Sequence, residues 1–594
     1  MQDRIGKYRY FILLDLCISA ACWVVIADNL WGIFIGWELI SLTSSLLISF
    51  WYQQSNAVKA SMQAWIISKL GAICLLIGIV LVTNELGSCN IATFTRAINL
   101  TDFSSHFRMS IAGICFLIAV FTKSAQFPFF SWLPNAMAAP TPVSALLHAA
   151  TVLSIGIYLL ARVEPILLPD HQSILIIVGY TTAFMGATAA LFQQHIKKLL
   201  AYSTLSQLGY VVAAIGLKTL ASAIVYLLLH GLAKACLFLY AGIIIKFLLE
   251  QGVKKESIAY MDRLAGIKQH LPWIGVSYFL ATITLVGLPG LAGFHAKEAI
   301  LTQTLTWSIR NASLSNCCIV YIVPIIAFAS ALLTNLYLGR SFLLIFCTSP
   351  ICSNDIALPI QKSNCLKPMQ SSALALLICV LVLSLLPIKQ FIIDGLTGVS
   401  ITYTLHQFST THAPYTHLLA SSISIGLLLL AILFLLLSFK KTTRITIFSP
   451  SSKLAQIFLE GWYVDALVKS LIKQILIFSN YIAVIEKYVI GGLVKHLTNG
   501  YVTIAYGVAW LDNKLVAGFI KCVTIGYVIL AHIVAWIDDK LIDSIGYTIA
   551  TILKSFSRLY LQIQKSNTQY HIAWSFISVL LILICWIIYS SLSN

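Results

Sequence analysis

The sequence predicts an all-α polytopic membrane protein: about thirteen transmembrane helices, two inverted five-helix repeats containing broken helices, and a long C-terminal lateral amphipathic helix. Three observations predict it. Hydrophobic residues make up 59% of the 594 and charged residues only 10%, against about 25% charged in a soluble domain. Apolar runs of roughly 20 residues, the length that crosses a bilayer, recur along the chain. Two of those runs hold a lysine beside helix breakers: Lys123 before Pro128 and Pro134, and Lys297 after Pro289, Gly290 and Gly293.

The spanning segments fall at 10–27, 30–50, 64–84, 110–132 and 142–162, then at 174–192, 199–217, 220–249, 271–306 and 316–346. Three more are expected at 371–388, 417–439 and 570–591. The first ten make two groups of five, with the broken, lysine-bearing segment fourth in each. Five is odd, so the groups are inserted in opposite senses, and interrupted helices at matching positions point to a transport site near mid-membrane. The alternative is a pair of kinked helices with snorkelling lysines; Lys123 and Lys297 stand inside their segments, which favours transport. The chain then divides into a first repeat (1–162), a second (163–346), peripheral transmembrane helices (347–445), the lateral stretch (446–565) and a closing helix (566–594).

After Pro450 no proline follows. From 461 to 560 spaced charges, Asp465, Lys473, Glu486, Lys495 and Asp512 among them, make the stretch too polar to span and too apolar for free solution. Its Tyr501…Trp510-Leu511-Asp512-Asn513-Lys514 pattern returns 26 residues later as Tyr527…Trp536-Ile537-Asp538-Asp539-Lys540. It reads as one or several amphipathic helices along a membrane interface or a row of partners, on the order of 150 Å if unbroken. Gly491, Gly492, Gly500, Gly507, Gly518 and Gly526 are the candidate breaks.

The net charge of +17 does not indicate nucleic acid. Its basic residues sit mainly in short loops, where positive charge fixes orientation, and no basic face with interleaved aromatics accompanies them. The richer loops hold Arg4, Lys7, Lys59, Lys197, Lys198, Lys254 and Lys268, which places the amino terminus in the cytoplasm and the carboxyl terminus outside. The fourteen cysteines form no CxxC pair, and no GxGxxG or Walker A loop is present. No cofactor is therefore expected in this chain.

Charged groups inside apolar segments cost a few kcal/mol each and are functional candidates by default. The main candidates here are Glu38, Lys69, Lys123, His148, His230, Lys234, Lys297 and Glu298, in that order. His230 and Lys234, four residues apart, share a helix face. Such groups can hold and release protons as a coupled set, with Glu38 acting on the proton affinity of Lys123. Other readings stand beside this one: a static Glu38–Lys123 pair, a satisfied core His148, and a Lys69 that snorkels or pairs locally.

The run from Phe121 to Thr151, which carries Lys123, Pro128, Pro134, Pro140, Pro142 and His148, closely resembles the signature of the proton-antiporter-like subunits of complex I, NADH–quinone oxidoreductase. Gly36-Trp37-Glu38-Leu39, Leu200–Tyr210, His230…Lys234-Ala235 and Gly293-Phe294…Lys297-Glu298 resemble that family in its order. The similarity covers 10–346, loosens to 440, and resumes at Trp462-Tyr463-Val464-Asp465 and from Leu561.

The resemblance implies a multi-pass, non-redox, proton-translocating subunit at the distal end of the membrane arm, in a bacterial inner membrane or alternatively the mitochondrial one. FMN, iron–sulfur clusters and quinone are then expected in other subunits. Glu38 looks like the family's acidic partner, Lys123 its pumping lysine, His148, His230 and Lys234 its central relay, and Lys297 its exit-side lysine; Lys69 and Glu298 are weaker candidates. The Pro-free stretch resembles the lateral helix of the L type, which runs along M- and N-type neighbours.

Three departures accompany the resemblance. The chain starts near the family's fourth helix, which a fragment, an alternative start or a split gene would each explain. Lys69-Leu70-Gly71-Ala72 lacks the acid often found there, and His195-Ile196-Lys197-Lys198 replaces a run that commonly begins with Asp. The competing classes are a multisubunit sodium/proton antiporter and an inorganic-carbon uptake system built on the same fold.

Overall fold

A backbone in hydrocarbon must satisfy its own N–H and C=O groups, so apolar runs of this length become helices. The computed structural model describes residues 6–92, 107–149, 151–251, 259–261, 264–312, 318–348, 367–385, 413–441, 453–515 and 519–537, with short pieces as far as 554. The helices are α1 (Lys7–Ile26), α2 (Leu30–Ile48), α3 (Ser55–Leu86), α4 (Phe107–Lys123), α5 (Thr141–Ala149), α6 (Val152–Val163), α7 (Pro169–Phe192), α8 (Ile196–Gly216) and α9 (Leu220–Glu250). They continue as α10 (Pro272–Val286), α11 (Ala292–Ala312), α12 (Cys318–Phe342), α13 (Lys367–Leu385), α14 (Ala413–Lys441), α15 (Lys453–Leu459), α16 (Val464–Ile485), α17 (Gly491–Leu515) and α18 (Phe519–Ile537). Among the described residues ten helices are long and apolar enough to cross a membrane. The chain is a multi-pass membrane protein. The expected closing segment at 570–591 lies outside the described residues.

Met1–Lys473 forms one compact unit. At its centre α8, buried along nearly its whole length, lies against α7 with almost no side chain between them. A Cβ on Gly209 would stand 2.5 Å from the Gly179 carbonyl oxygen, and one on Gly179 would stand 2.6 Å from the Ala213 nitrogen. Small residues at a helix crossing let two backbones approach, which is how helices pack where no hydrophobic force separates lipid from protein.

Both expected interruptions are present. α4 ends at Lys123, and residues 124–131 turn through a left-handed Ala125 before a short helical piece at Trp132–Ala138. The freed polar groups find partners: Phe127 N–H donates to Thr182 Oγ1 at 2.9 Å, and Trp132 Nε1 to the Thr122 carbonyl at 3.1 Å. The second break runs from Gly287 to Leu291, with Gly287 at φ 81° and Gly290 at φ 96°.

A third break was not expected. The segment read as one span at 142–162 is interrupted between Ala149 and Val152, where Thr151 N–H reaches back to Leu146 O at 3.2 Å, five residues away. The Thr151 hydroxyl donates to the same carbonyl at 3.2 Å, and Ser154 Oγ reaches the Ala149 carbonyl at 3.3 Å. A wide turn of this kind inserts one residue into the helical ladder.

The other compact unit, Gln474–Asn594, is helical where it is described. Two expectations about this stretch are corrected. Gly500, Gly507 and Gly526 do not break it: each lies inside a continuous helix, with open space around its Cβ position. A glycine costs a helix only about 1 kcal/mol relative to alanine, less than a turn needs. Among the described residues a π turn at Glu486–Ile490 interrupts the helix, directly before Gly491 and Gly492. Leu476–Trp510 is also apolar enough to span, because its charges are sparse. Gly518, Asp538 and Asp539 lie outside the described residues.

The packing gives a first expected outcome. Gly209→Leu should abolish recovery of monodisperse detergent-solubilised protein, since neither backbone at the α7–α8 crossing can yield. Gly500→Ala should leave recovery unchanged and raise helix stability by up to about 1 kcal/mol; equal recovery of both variants would refute the close-approach argument.

Candidate functional site

The buried titratable groups are positioned by the broken segments and the helices beside them. Lys123 ends α4 and is 2% exposed. Its ammonium donates to Ser41 Oγ at 2.7 Å and to the Trp37 carbonyl at 3.2 Å, and lies 4.8 Å from the centre of the Trp37 ring. The carbonyl end of α4 adds a favourable dipole to a cation at that position.

Glu38 pairs with Lys69, whose ammonium donates to its Oε2, so the alternative of a static Glu38–Lys123 pair is not the one formed. The reason is helix rotation. Trp37 and Ser41 are four apart and share the face turned to α4, whereas Glu38 stands about 100° round the helix from Trp37, towards α3. Lys69 pairs locally and does not snorkel. Ser68 Oγ donates to Ser41 Oγ at 2.8 Å, so one hydroxyl links α3 to the Lys123 amine.

The same device recurs further along. Lys234, fully buried, donates to Ser203 Oγ on α8 and to the Leu200 carbonyl at 3.4 Å. His148 stacks on Phe238 at 5.2 Å, and His230 tilts against Tyr226 at 6.5 Å. Both rings are 1% exposed, and among the described residues no side chain or backbone group pairs with any of their four nitrogens. Buried polar atoms of this kind are commonly met by ordered water. A Cβ on Gly231, beside His230, would stand 2.6 Å from the Ala149 carbonyl oxygen. The third break thus brings a main-chain carbonyl against the histidine-bearing helix.

Beyond His230 lies a hydroxyl and amide cluster. Tyr226 Oη donates to Gln207 Oε1, and Gln207 Nε2 donates to Thr334 Oγ1 at 3.1 Å and Tyr337 Oη at 2.9 Å. Lys297, 5% exposed, has its amine 5.6 Å from the centre of the Tyr210 ring. It lines a cavity with Glu298, Asn335 and Ser424. Glu298, 3% exposed, accepts from Ser421 Oγ and stands 3.5 Å from His417 Nε2. The expected candidates therefore gather into a Glu38–Lys69 pair with Lys123 alongside, a middle group of His148, His230 and Lys234, and Lys297 with Glu298.

Sequence reasoning passed over the hydroxyls and amides between them, Ser41, Ser203, Gln207 and Tyr226. Their signal was their presence in fully buried apolar runs. It also passed over the corner at Trp462–Asp465 as a structural link. Trp462 Nε1 donates to Thr188 Oγ1 at 3.0 Å, Gln63 Nε2 to Asp465 Oδ1 at 2.8 Å, and Asn135 Nδ2 to Gln63 Oε1 at 2.8 Å. Asn135 also reaches Asp465 at 3.4 Å, so the start of α16 is tied to the segment that follows the Lys123 break.

Residues 27–323, half of the chain, match the family described as NADH:quinone oxidoreductase/Mrp antiporter, transmembrane. The chain belongs to that family. All of the buried groups from Glu38 to Glu298 fall inside the matched region of the NADH:quinone oxidoreductase/Mrp antiporter fold. Similar proteins include NADH-quinone oxidoreductase subunit L of Buchnera aphidicola, 34% identical over 354 residues, which are 59% of this chain and 55% of that one. NAD(P)H-quinone oxidoreductase subunit 5 of the Paulinella chromatophora chromatophore is 37% identical over 314 residues, 51% of this chain and 47% of that one. A chain of the solved Mrp complex from Dietzia sp. DQ12-45-1b superposes with a TM-score of 0.57 at 25% identity, covering 84% of this chain and 52% of that one. The chain spans about half the length of the curated relatives it matches.

The Asp465 corner gives the second expected outcome. Asp465→Ala takes the acceptor from Gln63 and Asn135 and should destabilise the solubilised protein by about 1–3 kcal/mol. Asp465→Asn, which keeps an acceptor oxygen, should recover most of the loss in a thermal melt; equal Tm values for wild type and Asp465→Ala would refute the tie.

Proposed function

We propose that this chain is a proton-translocating membrane-arm subunit of an NADH–quinone oxidoreductase, moving protons along its buried Glu, Lys and His residues while quinone is reduced in other subunits. The observation that carries the reading is the set of buried amines, Lys123, Lys234 and Lys297, held mainly by hydroxyls, carbonyls and aromatic faces. A hydroxyl both donates and accepts, so it suits the ammonium and the neutral amine alike. A carboxylate favours the ammonium alone. Amines with neutral partners are therefore suited to exchange.

In this reading the two groups of five helices are inverted repeats with matched parts. The lysine of the third helix donates to a side chain of the second in each: Lys69 to Glu38, and Lys234 to Ser203. Lys123 and Lys297 lie at the interrupted fourth. The amino terminus is cytoplasmic by the loop charges, the membrane is a bacterial inner membrane, and the redox cofactors belong to other chains. The helices after Val464 run along neighbouring M- and N-type subunits. The likeness to a chain of the Mrp complex supports a second reading, a subunit of a multisubunit sodium/proton antiporter, which needs no electron transfer.

The test is redox-driven acidification by membrane vesicles. Lys123→Met and Lys297→Met should each slow it at least about tenfold, about 1.4 kcal/mol on the transfer barrier. Acidification at the wild-type rate in both variants would overturn the assignment; acidification driven by a sodium gradient and indifferent to NADH would favour the antiporter.

A further inference from the structure

We infer that the peripheral helix Ala413–Lys441 supplies the outlet of the second half-channel, with His417 taking protons from Glu298 and releasing them to the outer aqueous phase. The inference rests on the proton-translocating reading and adds a route that Lys297 alone does not provide.

Glu298 follows Lys297 directly, so the two side chains leave α11 about 100° apart. One lines the cavity with the other, and α14 closes the far side with Ser424 and Leu428. That cavity has room for a water molecule, and two of its lining atoms, Asn335 Oδ1 and Ser424 Oγ, have no hydrogen-bond partner among the described residues. A polar space of this size beside a buried amine is where a bridging water sits. One turn towards the amino terminus of α14, Ser421 donates to Glu298. One further turn on, His417 Nε2 stands 3.5 Å from the same carboxylate.

Position along α14 gives the direction: Lys440 and Lys441 at its far end mark the cytoplasmic side, so His417 lies towards the outer one. Lys297 and Glu298 are 5% and 3% exposed, whereas the His417 side chain is 63% exposed. His417 is also only four residues from the first residue of its helix, about 6 Å along the axis. A buried carboxylate with an imidazole leading outwards from it is a two-step outlet. The Lys297 ammonium gives a proton through the cavity water to the Glu298 carboxylate. The resulting carboxyl passes it to Nε2 of neutral His417, and the imidazolium loses its other proton, from Nδ1, to outside water. Lys297 is left neutral, Glu298 ionised and His417 neutral.

The charged groups on the helices packed against α14 include His295, Lys297 and Arg310 on α11 and Arg340 on α12. Arg340 is engaged elsewhere, with the Leu191 carbonyl at 2.7 Å. Of the charged groups on these two helices, Glu298 stands 3.5 Å from His417 Nε2.

The test uses the complete complex in proteoliposomes, with quinone reduction and acidification measured together. His417→Gln keeps a hydrogen-bonding group beside Glu298 but cannot relay a proton, and it should assemble while pumping several-fold fewer protons per quinone reduced. Imidazole added on the outer side should restore pumping in His417→Ala and leave Lys297→Met unchanged. Wild-type stoichiometry in both His417 variants, with Lys297→Met impaired, would overturn the outlet and leave the proposed function standing. Wild-type stoichiometry in Lys297→Met would instead overturn the proposed function. Loss of pumping in an assembled His417→Ala complex that imidazole does not restore would show a structural role and also overturn the outlet.

Discussion

An amine taken out of water must be met by oxygen or by an aromatic face, or it costs several kcal/mol as a cation. Three lysines here, Lys123, Lys234 and Lys297, are 5% exposed or less, and the rest of the site is arranged to meet that requirement. Ser41 and the Trp37 carbonyl serve Lys123, Ser203 and the Leu200 carbonyl serve Lys234, and the Tyr210 ring faces Lys297. The one lysine of the set paired with a carboxylate is Lys69, which is also the least buried of the four, at 35% side-chain exposure. Burial thus rises as the formal counter-charge disappears. A fixed ion pair in the interior would trap its proton; a hydroxyl does not.

The helix breaks follow from the same requirement. A continuous helix uses its carbonyls internally and offers few oxygens to a neighbour. Interrupting it frees carbonyls and N–H groups at the depth of the lysines, and small residues let the freed groups come close. The break at 149–151 presents the Ala149 carbonyl to Gly231, between Tyr226 and Lys234 in height along α9. The α7–α8 crossing brings Ser203 and Gln207 into the interior because Gly179 and Gly209 hold the two backbones together.

How much of this was legible depended on whether the sequence carried the cause locally. Pro128, Pro134, Pro289 and Gly290 announce two breaks, and both are there. The break at 149–151 contains no proline or glycine in its own stretch; its cause is the Thr151 back-bond and the notch left by Gly231, eighty residues away. Glu38 was legible as a buried acid, but its choice of Lys69 over Lys123 is set by rotation of α2, which spacing alone does not fix. His417 stands singly at the start of an apolar run, and only the approach of α14 to α11 gives it Glu298 as a neighbour.

Under the proposed function, two matched half-channels would have no direction of their own, so direction would come from where they differ. The difference lies in the two carboxylates. Glu38 accepts from the Lys69 ammonium. Glu298 faces Ser421 and His417, a hydroxyl and an imidazole. A carboxylate locked to a cation is a poor proton carrier but a steady source of field for the amine beside it. One beside a neutral imidazole can accept a proton and pass it on. Within a proton-translocating chain the first arrangement suits loading of Lys123, and the second, which α14 completes with Ser421 and His417, suits release from Lys297.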